Sequence, residues 1–250
     1  MVFLIIKLSI FISIAINSNF PSGKTITPPS HKDWNELLQK YVSDDGNVDY
    51  KGFIKDKERL IIYLSSLKTN PPDKDLWSSE DQLSYWINAY NAFTVKLIVD
   101  NYPLKSIQDL NSSPQSKNTI WHKQFIKIGK QYLSLDEIEH NILRKDFKEP
   151  RIHFAINCAS FSCPPLRNEA FVAERLEEQL HEMAVTFIND PKRNKLNIHK
   201  VKVSKIFDWF KEDFVQQSSL IDYLNKYSKV KIDANATINY MEYNWSLNEK

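Results

Sequence analysis

The strongest constraint on the fold is a long helical pattern over residues 79–101, which carries apolar and aromatic residues on every side. Ser79 and Gln82 predict the start of this helix, and Pro103 predicts that it stops before that proline. A helix without a polar face is buried on all sides, because its apolar surface has to be removed from water. We therefore expect this helix at the centre of the molecule, with the other elements packed around it.

Shorter patterns before and after this helix predict a mixed architecture. They comprise a helix that follows a capping box of Ser30 and Asp33, a short strand at Val48 and Tyr50, a helix over 60–67, a hairpin of 125–128 and 131–133, a helix over 135–145, a strand over 152–156, a helix from Asn168, a strand over 198–203, helices over 206–214 and 220–227, and a strand over 238–243. The order lacks a regular βαβ rhythm. We therefore predict an α+β fold, a single domain over residues 31–248 with helices packed around a small, mostly antiparallel sheet.

The start of the chain predicts export. Residues 1–16 are almost wholly apolar, and Lys7 lies inside the stretch, which is short for a membrane span. We interpret residues 1–20 as a signal peptide, cleaved between about residues 17 and 24, or as an uncleaved N-terminal anchor. Residues 21–30 then form a polar tether. Both alternatives place the rest of the chain outside the cytoplasm, in an extracellular or periplasmic location.

The charge balance excludes a nucleic-acid-binding protein. The formal net charge is +2, with acidic and basic residues interspersed and without a dense run of Lys or Arg. We expect a small-molecule or peptide ligand, no cofactor, and contact with a membrane only through an uncleaved N-terminal segment.

Two asparagines on the central helix, Asn88 and Asn91, lie three residues apart and therefore on one face. A buried amide costs about 1–3 kcal/mol if it lacks hydrogen-bond partners. The two amides therefore either tie down a neighbouring loop, or orient a catalytic group and bind substrate.

The helix predicted after Ser134 carries charged residues next to its apolar stripe. Ser134 and Glu137 form its capping box, and His140 and Arg144 are neighbours at a spacing of four. The pair is typical of a solvated face, but it is also compatible with a site in which Arg144 binds an anionic group.

The segment 150–166 is richest in chemistry. As a strand, it places Arg151, His153 and Asn157 on one face and delivers Cys158 at its end. A thiol beside an imidazole is a plausible nucleophile, because imidazole lowers the thiol pKa. His153 is five residues from Cys158 and hence on the opposite face of a straight strand, so the strand kinks or His140 is the partner. Alternatively, Cys158 and Cys163 form a disulfide that pins the loop, as an oxidising compartment favours.

Several of these stretches, in this order, resemble the domain of unknown function 547 family. They include residues 86–92, the helix of 133–144 with Glu139, His140 and Arg144, residues 151–158, and the motifs 162–164, 204–210 and 243–248. The resemblance runs from about residue 33 to 248 and implies an exported bacterial-type member, without implying an activity. Its characteristic polar residues fall on Asn88, Asn91, Glu139, His140, Arg144, Arg151, His153, Asn157 and Cys158.

Two functions follow from this set. The first is a thiol-dependent hydrolase or acyl transferase in which Cys158 is the nucleophile, His153 or His140 the base, and the other residues bind or orient substrate. The second is a non-catalytic exported binding module with a structural polar network and a Cys158–Cys163 disulfide. A metal site of Glu139, His140 and His153 has spacing unlike compact zinc motifs, and we predict none. For a catalytic site, we expect the three separated segments to converge on one pocket.

Overall fold

The structure is a computed structural model that describes residues 27–113 and 117–250. Helices predominate in these ranges: α1 Lys32–Tyr41, α2 Tyr50–Lys55, α3 Lys57–Thr69, α4 Ser79–Asn101, α5 Arg144–Phe147, α6 Ile152–Ala155, α7 Leu176–Ile188, α8 Ile206–Trp209, α9 Lys211–Phe214 and α10 Leu220–Asn225. Within the same ranges, no helix is long and apolar enough to cross a bilayer. The predicted signal peptide or anchor lies outside the described residues.

The described residues also form five short strands: β1 Ile126–Ile128, β2 Gln131–Leu133, β3 Lys195–Leu196, β4 Lys200–Val203 and β5 Thr237–Tyr240. β1 and β2 form the predicted hairpin, whose turn contains Gly129 at a φ of 56°. β3 pairs with β4 antiparallel, and β4 pairs with β5 parallel. Helices packed around small sheets confirm the α+β prediction.

The central helix α4 is buried along most of its length, as its pattern predicts. Ile87, Asn88 and Ala89 are fully inaccessible, and α2 and α3 pack against the helix. The capping box lies one residue earlier than predicted, because the Ser78 hydroxyl accepts from the amide of Asp81. Since α4 supplies the middle of the core, the segments that contact it are fixed relative to one another.

The predicted strand over 152–156 is wrong, because these residues form the short helix α6. All residues of α6 are buried, so the helix has no solvent-exposed side. Without an exposed side, the sequence pattern cannot distinguish the two-residue period of a strand from the 3.6-residue period of a helix. The chain becomes extended only at Ile156. Arg151, His153 and Asn157 therefore do not share one strand face, and His153 lies on a turn of helix.

Two other local predictions are also wrong. Tyr50 begins α2 behind the N-cap Asp49, and Val48 forms only isolated bridges, so no strand spans these residues. The first helix starts behind His31, which makes no side-chain cap, in place of the predicted box at Ser30. In both places, tertiary contacts override a local signal.

The predicted capping box of Ser134 and Glu137 is present, and a wide helical turn begins at Glu137. The Glu137 amide donates to the Ser134 hydroxyl over 3.0 Å, and the Glu137 carboxylate accepts from the Ser134 amide over 2.7 Å. Residues Glu137–Leu143 then form a π-helix that continues into α5. Such wide turns occur often at functional sites. Here the turn buries Glu139 beside α4.

The segment 243–250 joins distant parts of the domain. Leu247 bridges to Ser160 and Glu249 bridges to Val48. The Asn248 side chain accepts a hydrogen bond from the Tyr50 hydroxyl over 2.7 Å. The last residues of the domain are therefore part of its core, and they close one side of the pocket described next.

Candidate active site

One pocket combines ionisable groups with aromatic walls. It has a cavity volume of about 150 Å³. Its lining comprises Tyr90, Trp121, Glu139, His153, Ile156, Cys158, Cys163, Pro164, Ile206, Trp209, Phe210, Tyr243 and Trp245. These residues come from α4, the 3-10 turn Ile120–His122, the π-helical turn, α6 with the loop after it, α8 with the residue that follows it, and the C-terminal segment. Three of the predicted site residues, Glu139, His153 and Cys158, therefore meet in one place.

His153 is held from behind by a carboxylate. Its Nε2 lies 2.7 Å from Oδ2 of Asp213 in α9, and Arg144 donates to both oxygens of Asp213 over 2.6 and 3.0 Å. The imidazole also stacks on Phe210, with ring centroids 4.0 Å apart. We call the pair the Asp213–His153 dyad. Its ring orientation is fixed by a charged hydrogen bond on one edge and by an aromatic face.

The protonation state of the dyad follows from its surroundings. Burial opposes ionisation of Asp213, but hydrogen bonds from His153 and Arg144 outweigh it and lower the pKa of Asp213. An ionised carboxylate only accepts, so we assign the proton to Nε2 of His153. Burial lowers the pKa of His153, so the ring is neutral at pH 7. Nδ1 is then an acceptor, and it has no hydrogen-bond partner among the described residues.

Glu139 is the second ionisable group that lines the pocket. Its Oε1 lies 3.9 Å from Nδ1 of His153, and its Oε2 accepts from the Tyr90 hydroxyl over 3.3 Å. Burial raises the pKa of Glu139 to about 7. The carboxyl group therefore changes its charge near neutral pH, as acid–base groups in active sites do.

Cys158 and Cys163 form a disulfide, with Cα atoms 6.2 Å apart. This confirms the pairing that the binding-module hypothesis contains. Arg193 holds the loop from outside, donating to the carbonyls of Cys163 and Phe161 over 2.6 and 2.9 Å. Sγ of Cys158 lies 3.3 Å from the Tyr243 hydroxyl. While the bridge is intact, neither sulfur is a thiolate nucleophile.

The predicted asparagines contact backbone and do not line the pocket. Asn88 exchanges two hydrogen bonds with the backbone of Phe171, at 2.7 and 3.0 Å. Asn91 donates to the carbonyl of Ala155 over 2.9 Å and accepts from the amide of Asn157 over 2.8 Å. Each amide thus attaches a neighbouring segment to α4, and Asn91 fixes the chain between His153 and Cys158.

Like Asn88 and Asn91, Asn157 uses its side-chain amide to bind backbone groups, here within the loop that starts at Asn157. Its side chain donates to the carbonyl of Pro164 over 2.7 Å and accepts from the amide of Ala159 over 2.8 Å. These bonds span the residues that the disulfide also closes. The side chain therefore shapes the loop that brings Cys158 to the pocket.

The remaining predicted residues lie behind the pocket or away from it. His140 contacts Arg144, with its Nδ1 2.7 Å from the guanidinium, so it stands behind the dyad. Arg151 pairs with Glu149 and Glu177, both at 2.7 Å, on a different surface. Across the described part of the chain, no group of three or more His, Cys, Asp or Glu is arranged to hold a metal ion.

Several pocket residues were missed by sequence reasoning. Trp209, Tyr243 and Trp245 lie in motifs that carry the family resemblance, and this was the available signal for them. Asp213 lies in an ordinary acidic stretch beside Glu212, which a single sequence does not distinguish from a solvated helix face. Its role depends on the approach of α9 to α6, which the structure alone reveals.

Comparison with known proteins supports the resemblance seen in the sequence. A family model described as "Protein of unknown function, DUF547" matches residues 74–188. No curated protein and no solved structure matches the chain. The matched segment includes Glu139, His153 and Cys158, whereas Asp213 and the C-terminal aromatic residues lie after it.

Proposed function

We propose that this domain, whose residues 74–188 match the family of unknown function DUF547, is a hydrolase that activates water with the Asp213–His153 dyad. The observation that carries the proposal is the buried Nδ1 of His153, a partnerless acceptor beside the pocket whose ring is fixed by a carboxylate at 2.7 Å. A fixed neutral imidazole with a free acceptor nitrogen, on a residue that lines a pocket, has the features of a general base.

The geometry suggests how water is held. Nδ1 of His153 and Oε1 of ionised Glu139 are two acceptors 3.9 Å apart. Nδ1 is closed to solvent in this structure, so the side chains around it must move before water reaches it. A water oxygen about 2.8 Å from each group then donates one hydrogen to each of them. His153 takes one proton as the water oxygen bonds to the electrophilic carbon of the substrate. The imidazolium, stabilised by Asp213, gives that proton to the leaving group as its bond to the carbon breaks, and the second hydrogen of the water stays with the hydrolysed product.

The test is hydrolysis of a panel of chromogenic esters, amides and glycosides by wild-type protein and by His153→Gln. Loss of a general base lowers the rate by about 10²–10⁴-fold. His181→Gln, at an exposed position whose ring contacts Tyr227, is the matched control and keeps the wild-type rate. An unchanged rate in His153→Gln rejects the proposal.

A second candidate is the thiol-dependent hydrolase or acyl transferase, favoured by the position of Cys158 beside His153 in one pocket. It requires reduction of the disulfide before a thiolate exists. Activity that appears only after reduction and is absent in Cys158→Ser supports this candidate. Activity in the oxidised protein supports the dyad.

We also propose that the domain acts outside the cytoplasm, on a small-molecule or peptide ligand. The apolar start of the chain supports export, and so does the disulfide, since such bonds persist in oxidising compartments. If the pocket has no hydrolytic activity, the same features describe an exported binding module.

A further inference from the structure

The mouth of the pocket carries a cluster of aromatic side chains. We call Trp121, Trp209, Tyr243 and Trp245 the aromatic rim. Trp209 and Tyr243 have ring centroids 4.8 Å apart, Tyr243 and Trp245 4.5 Å, and Trp121 and Trp245 5.5 Å. Their planes are inclined by 48–65° in these pairs, whereas Trp209 and Trp245 are stacked, with centroids 5.9 Å apart and planes at 24°. Trp209 is 48% exposed, a large apolar area to leave in water.

The lining of the pocket carries an acidic side chain, Glu139, and no permanently cationic side chain among the described residues. None of the described residues that line it is a lysine or an arginine. Asp213 is neutralised by Arg144, but Glu139 has only the neutral His153 within ion-pair distance among the described residues. When ionised, Glu139 is thus a buried carboxylate that makes no ion pair with a Lys or Arg of the described residues, and only the more distant charge of Arg144 stabilises it.

The residues that line the pocket carry both acceptors and donors. The Glu139 carboxylate accepts, whereas Trp121, Trp209 and Trp245 each carry an indole N–H donor. Nδ1 of His153 is a further acceptor, but it is closed to solvent in this structure. The Tyr90 and Tyr243 hydroxyls are already engaged with Glu139 and with Ser160 and Cys158. Among the described lining residues there is thus no cationic group to hold an anionic ligand.

We infer that the pocket binds an organic cation, an alkylammonium group that lies against the aromatic rim with its charge toward Glu139. Aromatic faces attract such cations through the ring quadrupole, and they recognise quaternary ammonium groups in other proteins. The inference names the substrate class of the proposed hydrolase and therefore rests on that function for its biological meaning. The binding itself does not depend on catalysis.

The experiment compares choline with 3,3-dimethylbutan-1-ol, which has the same shape but a carbon in place of the charged nitrogen. Each is titrated into the full domain and followed by tryptophan fluorescence and calorimetry. We expect choline to bind at least about 10-fold more tightly, in line with a desolvated cation–aromatic contact. Equal or tighter binding of the neutral alcohol, or no binding of either, overturns the inference.

Variants locate the binding site. Trp209→Leu lowers choline affinity by about 3- to 20-fold and Trp209→Phe by less, because phenylalanine keeps a ring. Glu139→Gln weakens choline while leaving the alcohol unchanged. Tyr132→Leu, at a 55% exposed aromatic residue outside the pocket, leaves both affinities unchanged. If Trp209→Leu and Glu139→Gln both bind choline like wild type, the cation is bound elsewhere and the inference fails.

His153→Gln separates this inference from the proposed hydrolase. We expect it to lose hydrolysis and keep the preference for choline over the alcohol. Cation binding without hydrolysis in the wild-type protein supports the ligand class and rejects the hydrolase. Hydrolysis of neutral substrates with no preference for choline supports the hydrolase and rejects the ligand class.

Discussion

At the scale of single residues, Glu139 makes stability depend on pH. Burial raises its pKa from 4.5 to about 7 in the folded protein. The protonated form therefore favours folding, and its contribution is fully present below pH 4.5 and lost as the pH rises through 7. Above neutral pH the ionised Glu139 lowers the stability of the domain, because its hydrogen bond from Tyr90 and the charge of Arg144 do not offset the cost of its burial.

Glu139→Gln removes this cost, because glutamine never ionises. At pH 8 we expect the variant to have a free energy of unfolding about 1–3 kcal/mol above that of wild type. Well below pH 4.5 the difference shrinks toward zero, since wild-type Glu139 is then neutral in both the folded and the unfolded state. Urea titrations at both pH values measure it. A difference that is the same at both pH values means that Glu139 does not titrate as described.

The same carboxyl group sets the pH dependence of the proposed hydrolysis. His153 is already neutral near pH 7, because burial lowers its pKa. The change of the reaction rate with pH near neutrality is therefore due to ionisation of Glu139. We expect kcat/KM to rise with pH through about 7 as Glu139 ionises and holds the water. The Glu139 pKa also depends on Tyr90, Arg144, Asp136 and Asp213, which lie near it. Glu139→Gln should flatten this limb, which a pH–rate profile tests.

At the scale of elements, the asparagines of α4 attach loops to the core. Asn91→Ala leaves the Ala155 carbonyl and the Asn157 amide without their partner. Unsatisfied buried groups cost about 1–3 kcal/mol, and we expect this loss of stability in chemical denaturation. Asn101→Ala, at the exposed end of α4, is the control and should change stability by less than about 0.5 kcal/mol. A loss no larger than that of the control contradicts the role of Asn91.

The sequence predicts elements well where a pattern has a clear period or cap. The central helix and the hairpin of β1 and β2 are found as predicted. Helix α6 is not, because all of its residues are buried and the pattern of apolar and polar positions carries no period there. Within the site, Glu139, His153 and Cys158 are predicted. Asp213 is not, because its contact with His153 spans sixty residues and depends on tertiary packing.

At the scale of the molecule, the part matched by the family model is not a complete folding unit. Residues 74–188 omit α1, whose Trp34 is fully buried, as well as Asp213 and three of the four rim residues. We expect a fragment of 74–188 to lack a cooperative thermal transition, whereas residues 31–248 unfold cooperatively. Circular dichroism of both fragments tests this. A cooperative transition in the short fragment would show that its core is sufficient.

The C-terminal segment described above has a consequence for how the pocket comes into being. Protein chains are made from the amino end, so the residues that hold the dyad and the disulfide emerge from the ribosome before Tyr243 and Trp245. Bridges from 246–249 to Ser106, Ser160 and Val48 can form only after this segment has been made, and they hold those rings in place. A chain interrupted before residue 243 contains every ionisable group of the site but lacks one wall of the pocket. Completion of the pocket therefore has to wait until synthesis has passed this segment.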